Sequence, residues 1–259
     1  MNDIQKESAI HEVDIDKVGV KGVRYPIVVL DRQNKTQNTI ATINMYVDLP
    51  LSFRGTHMSR FIEILDRHRG RMTFHNISPI LTEMREKLDA KSAHLEIAFP
   101  YFIEKSAPVS GQKSLMVYDC KFIASQSETD EFIVEINVPV MSLCPCSKEI
   151  SDRGAHNQRS IVTVKFRTNG FVWIEDIIKL IENSASSDVY ALLKREDEKF
   201  ITEEAFDNPR FAEDMVRQIA VELEKIHQIE WFLVETENYE SIHYHNAYAS
   251  ISRTIGHEK

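Results

Sequence analysis

The hydrophobic periodicity switches between two and three-to-four residues in the same order twice, and this constrains the fold more than any other property of the sequence. In residues 39–49, Ile40 and Thr42 fall on one side while Ala41, Ile43, Met45 and Val47 fall on the other, the period of a half-buried strand. Strands are expected at 23–30, 39–49, 93–103 and 114–125. Between the second and third, helices are expected at 58–69, where Phe61, Ile64, Leu65 and His68 recur at helical spacing, and at 79–88. Ser78-Pro79 opens that second helix as a cap followed by a first-turn proline, and Leu81, Met84 and Leu88 make its stripe. The second round predicts strands at 131–141 and 160–167, helices at 173–181 and 209–226, and strands at 229–235 and 242–251. Asn208-Pro209 opens the second of these helices.

Each half therefore reads β-β-α-α-β-β, although the halves share no obvious sequence identity. The expectation is an α+β protein of two tandem ββααββ units, with antiparallel sheets and helices on one face. Residues 1–20 are polar and weakly patterned and read as a flexible arm; 21–127 form the first unit and 128–259 the second, together one compact bimodular domain. A single α+β domain with accidental symmetry is the competing reading. A four-stranded sheet with helices on one face leaves its other face and its edges to be covered. Closing a barrel by oligomerisation removes both problems.

The 259 residues carry a net charge of −9, with 42% hydrophobic and 27% charged residues. A protein that tracks nucleic-acid phosphates needs a basic excess, so −9 argues against a general nucleic-acid role. A nucleotide pocket needs only a few local cations and stays open. The first residues lack the apolar core of a signal peptide, and no apolar run approaches the length of a membrane span. Three cysteines, Cys120, Cys144 and Cys146, make a poor disulfide framework and point to a reducing cytoplasm.

Four segments carry chemistry. Ser142-Leu143-Cys144-Pro145-Cys146-Ser147-Lys148, followed by Gly154-Ala155-His156-Asn157-Gln158-Arg159, offers thiolates and an imidazole to a borderline metal. No second Cys pair exists to make a closed structural zinc site, so a metal here has few protein ligands and an open position. Two small packed cysteines beside a turn would satisfy the same residues. Glu240-Ser241-Ile242-His243-Tyr244-His245 places two histidines two apart, on the same side of a strand, with a carboxylate at its start. Such a set can move protons near neutral pH, or it can be a solvated strand face. In Arg54–Phe61, His57 and Arg60 either bind an anion at a helix N-terminus or belong to an ordinary capped start. The acidic run at 196–203 is either a surface stretch or supplies Glu198 as an oxygen ligand, and Glu213 could accept two N–H bonds from a guanine edge.

Taken together these segments resemble the GTP cyclohydrolase IB family. The matching pieces are Thr56-His57-Met58-Ser59-Arg60, Ser142 to Lys148, Gly154 to Arg159, Glu196-Asp197-Glu198-Lys199, Asn208 to Asp214, and Glu240 to His245, spread over residues 54–250. The resemblance implies a tunnelling fold assembled as a homotetramer, with Cys144, His156 and Glu198 holding a divalent metal (Mn, Zn or Fe). It implies Glu213 as the guanine anchor and Glu240, His243 and His245 as proton carriers, with Cys146 either supporting the site or exchanging with Cys144. Lys148, Arg60 and Arg159 are the candidate triphosphate cations. The implied reaction has metal-activated water attack C8 of GTP, release formate and give 7,8-dihydroneopterin triphosphate, for folate or 7-deazaguanine tRNA synthesis. The alternatives are another tunnelling-fold enzyme on a purine or pterin, a cyclohydrolase giving a cyclic phosphate, a non-catalytic purine-binding oligomer, and a protein with metal only as a folding staple.

Overall fold

The computed structural model describes residues 5, 7–11, 13–69 and 76–256. The chain divides into two compact units, Met1–Pro100 with Lys121–Ile133, and Tyr101–Cys120 with Val134–Lys259. The division differs from a cut between residues 127 and 128, because the far end of a long hairpin in the first half belongs to the second unit.

In the first unit β1 (Ile15–Asp31) pairs antiparallel with β2 (Lys35–Leu49), and β2 with β3 (Ala93–Ser106), whose neighbour is β4 (Lys113–Gln126). Strand β2 follows its period: Ala41, Ile43, Met45 and Val47 are fully buried, while Ile40 is exposed. Helices α1 (Met58–Arg67) and α2 (Ile77–Leu88) pack on β1 and β2 and bury Phe61, Ile64, Leu65, Ile80 and Met84. The tail of the expected first helix, residues 68–69, lies beyond α1.

Strand β1 starts at Ile15, inside the stretch expected to be a loose arm; residues 1–4, 6 and 12 of that stretch lie outside the described ones. The alternation signal is absent there because β1 ends the strand order, and its first residues are exposed or half-buried on both sides. An end strand also tolerates Pro26, which lacks the N–H for a ladder. Gly19 marks a close approach: a Cβ there would meet the Met45 carbonyl oxygen at 1.9 Å. Gly22, at φ +75°, occupies the left-handed region within the register shift between Val20 and Val23.

The second unit contains β5 (Asp130–Leu143, which starts in the first unit), α3 (Pro145–Ile150), β6 (Asn157–Thr168), α4 (Ile174–Glu182), β7 (Ser187–Asp188), α5 (Arg195–Asp207), α6 (Ala212–Leu223), β8 (Ile229–Asn238) and β9 (Ala247–Thr254). Its strand order is β5-β6-β8-β9, with β7 paired to β5. Ile136, Val138, Val140, Val162, Val164, Phe166, Phe232 and Val234 alternate inward and are fully buried. Helix α6 covers β8 and β9 with Met215, Val216, Ile219 and Leu223.

Three expectations are corrected here. The helix expected at 209–226 is shorter, because the backbone N–H of Arg210 is drawn off to the Leu143 carbonyl at 3.1 Å and α6 starts at Ala212, with Asp214 accepting from the Phe211 N–H at 3.1 Å. Helix α5 was not expected as a helix at all; it buries only Asp197, Ile201 and Ala205, too little apolar surface for a clear stripe. The last strand begins at Ala247, not 242, since the pair Asn238↔Ala247 closes the β8–β9 ladder and leaves 239–246 as a loop. No described helix is long and apolar enough to cross a membrane.

Candidate active site

The junction between β5 and β6 is the structural centre of the site. Cys144 is the N-cap of α3, with extended backbone (φ −71°, ψ 117°) and Pro145 at the first helical position. One hydroxyl closes the turn. Ser147 Oγ donates to the Cys144 carbonyl and accepts from the His156 N–H, both at 3.1 Å, while the Ser147 N–H approaches Cys144 Sγ at 3.5 Å. The Cys144 N–H donates to the His156 carbonyl at 3.1 Å. Cys144 and His156, twelve positions apart in the sequence, are thereby backbone-bonded neighbours at the ends of adjacent strands.

His156 then meets the loop 239–246. Its Nδ1 lies 3.0 Å from Gln158 Oε1 and 3.6 Å from Glu240 Oε2, and the side chains of His156 and Glu240 are each 11% exposed. The His243 ring stands edge-on to His156 with centroids 6.1 Å apart, and His243 and His245 stack at 5.3 Å and 20°. His243 and His245 were expected to share one side of a strand. They reach the same neighbourhood from a loop, stacked face to face. The result is a graded array: a half-buried imidazole and carboxylate, then two exposed imidazoles leading outward.

Glu213 is exposed in the first turn of α6, and the Arg210–Leu143 bond three residues earlier anchors that helix start to the residue before Cys144. Lys148 donates Nζ to the Phe206 carbonyl and sits 4.3 Å over the Phe206 ring, so it already ties α3 to the end of α5. Arg159 is exposed on β6, between buried Gln158 and Ser160. Cys146 is exposed on α3. His57 and Arg60 belong to the first unit, where His57 is the N-cap residue of α1 and Arg60 Nη1 donates to the Lys87 carbonyl at 2.8 Å, capping α2.

The donor chemistry suits a borderline divalent metal at two positions: a thiol on a fixed cap and an imidazole whose Nδ1 is occupied, leaving Nε2. Glu198 does not join them in one cluster. It is exposed on α5, eight residues before Phe206, roughly 12 Å along the helix axis at 1.5 Å per residue. Among the described residues, no three His, Cys, Asp or Glu side chains stand in a metal-holding group. Cys120 is buried on β4, and burial pushes its thiol far above the ordinary range.

Sequence reasoning missed Ser142, Ser147, Gln158 and Ser160. Gln158 Nε2 donates to Ser142 Oγ at 2.9 Å, and Ser142 Oγ lies 2.9 Å from Ser160 Oγ. The available signal was a polar residue at each inward position, 158 and 160, of a strand that is otherwise apolar inside.

Residues 1–249 match a family model described as type I GTP cyclohydrolase folE2. A GTP cyclohydrolase FolE2 from Geotalea uraniireducens is 58% identical over 98% of this chain and 93% of its own length. Those from Geobacter sulfurreducens and Kosmotoga olearia are 56% and 53% identical, each over 98% of both chains. Among solved structures, uricase from Arthrobacter globiformis aligns over 94% of both chains with TM-score 0.51 at 10% identity. Urate oxidase from Bacillus sp. TB-90 aligns over 93% of this chain and 100% of its own with TM-score 0.56 at 9% identity. At such identities the likeness is one of fold: an antiparallel, sheet-rich α+β architecture of the urate oxidase type.

Proposed function

The chain belongs to the type I GTP cyclohydrolase family, and on that premise we propose how its residues convert GTP to 7,8-dihydroneopterin triphosphate and formate. The observation that carries the reading is the meeting of family-matched residues from two distant segments, 144–156 and 240–245, around His156.

Cys144 and His156 would hold a divalent ion, Mn, Zn or Fe, with solvent completing the shell, and Glu198, which stands apart from them on α5 in the metal-free chain, would have to move in to serve as third donor. When bound, the ion supplies a Lewis acid that makes water nucleophilic near neutral pH. The other tasks fall to this chain's own groups. C8 of guanine is a poor electrophile until N7 receives a proton or a hydrogen bond, and His243 and His245 are exposed imidazoles able to deliver it. Glu240 receives and returns protons beside His156. Opening of the imidazole ring, loss of formate and reclosure of the ribose carbons as a pterin each need such a transfer. Glu213 accepts the N1–H and exocyclic N–H of the guanine as a planar fork. Among the candidate triphosphate cations, Arg159 is exposed, whereas Lys148 and Arg60 already each donate to a helix-end carbonyl.

The assembly we propose is a homotetramer that closes a tunnelling-fold barrel, in the cytoplasm, where Cys144 and Cys146 stay reduced. The test is incubation of the purified protein with GTP and Mn, Zn or Fe in turn, followed by oxidation and detection of neopterin fluorescence. Product with at least one metal is expected, and its absence with all three would overturn the reading.

A further inference from the structure

We infer that Gln158 is a positioning residue that fixes His156 in the tautomer carrying its proton on Nδ1, leaving the Nε2 lone pair for a metal ion. The inference rests on the reading of His156 as a ligand and adds to it the device that prepares the ring.

Two oxygens face Nδ1: Gln158 Oε1 at 3.0 Å and Glu240 Oε2 at 3.6 Å. An ionised carboxylate is only an acceptor, and the amide oxygen is only an acceptor. A bare Nδ1 would confront two acceptors, so the proton belongs on Nδ1. The amide is itself held. Its Nε2 donates to Ser142 Oγ at 2.9 Å, and that hydroxyl is 2.9 Å from Ser160 Oγ. Gln158 is 8% exposed, and Ser142 and Ser160 are fully buried. A glutamine pointing inward from a strand is unfavourable unless its amide is satisfied at both ends. Here both ends are used, one by the paired serines of β5 and β6 and one by the ring. Glu240 sets the sense of the amide: its carboxylate favours a proton on Nδ1, and an amide with its NH2 toward that nitrogen would then place donor against donor. Gln158, held in place by Ser142 and Ser160, together with Glu240 therefore selects which nitrogen of His156 carries the proton.

The test uses the full chain, metal-free, with 15N-labelled histidine; the spectrum of His156→Gln assigns the His156 signal. At a pH where the ring is neutral, the wild type is expected to carry its proton on Nδ1. Gln158→Met, of similar length and without an acceptor, is expected to give mixed tautomers and to weaken Zn(II) binding, measured by chelator competition, by about 10–100-fold. If that variant does not fold, Ser142→Ala, which frees the amide but keeps it, should shift the tautomer in the same direction. A wild-type ring protonated on Nε2, or a Gln158→Met protein with unchanged tautomer and unchanged Zn(II) affinity, would overturn the inference. A wild-type His156 signal that Zn(II) does not move would instead overturn the ligand reading, because the tautomer is read with no metal present.

Discussion

Asp197 and Glu198 are adjacent acids in one helix, and the fold gives them opposite fates. Glu198 is exposed, while Asp197 has no exposed surface and accepts from the Val109, Ser110 and Lys194 N–H groups at 2.8–2.9 Å and from Ser110 Oγ at 2.6 Å. Burial alone would push its carboxyl up. The hydrogen bonds from Ser110, Lys194 and Val109 outweigh it and hold the carboxyl well below the usual carboxylate range. With the folded value depressed, the stabilisation is complete above the unfolded value, about 3.9, and is lost as pH falls below it. Asp197→Asn should therefore unfold at lower urea than the wild type at pH 7, and the gap should narrow toward pH 3. A gap independent of pH would mean the charge plays no part. Nothing in the run Glu196-Asp197-Glu198 distinguishes the buried acid from its neighbours, because the distinction is made by a turn some 88 residues earlier in the chain. Cys144 was more legible, through Pro145 and the nearby histidine. Cys144→Ala should abolish turnover while far-ultraviolet circular dichroism and melting, both measured metal-free, remain near wild type; near-normal activity would remove the thiol from the mechanism.

Strongly amphipathic elements were readable because a core imposes its period on them. β2, β5, β6 and α4 stand where the alternation or stripe placed them. Elements that bury little were not: α5 has one acid and two apolar residues inside, and the first residues of β1 have no fully buried side. The loop 239–246 failed for another reason. Its apolar Ile242 and Tyr244 imitate a strand's alternation yet are 65% and 108% exposed, and the ladder ends at Asn238↔Ala247. The hairpin therefore does not depend on the loop's side chains for its register. Replacing 239–246 with Asn-Gly, which favours the tight turn a two-residue hairpin needs, should leave β8 and β9 paired. The same change removes Glu240, His243 and His245, and kcat should fall by about 10²–10⁴-fold, the usual contribution of positioned acid–base groups. A replacement that unfolds the protein would show the loop to be structural; one that keeps kcat would take the three residues out of the proton path.

At the scale of the whole molecule the question is whether metal holds the protein together or only serves its chemistry. The proposed donors Cys144 and His156 sit where β5 ends and β6 is about to begin, whereas the second unit's core is formed by Val162, Val164, Phe166, Ile177, Ile219 and Phe232, all fully buried without them. The turn carrying the donors is closed by Ser147 and by the Cys144–His156 backbone bond, none of which needs an ion. A structural zinc domain has no such independent core, and chelation unfolds it. Here a chelator should abolish neopterin formation and leave a folded protein. The loss of stability should be only the linkage contribution, about 2.7 kcal/mol when free metal had stood at 100 times Kd. The proposed tetramer adds a second readout. Four 30.0 kDa chains make a particle of about 120 kDa, and if sheet edges rather than metal drive closure, sedimentation should give that mass with and without chelator. Dissociation on metal removal would move the ion from the chemistry to the assembly and would require donors shared between subunits.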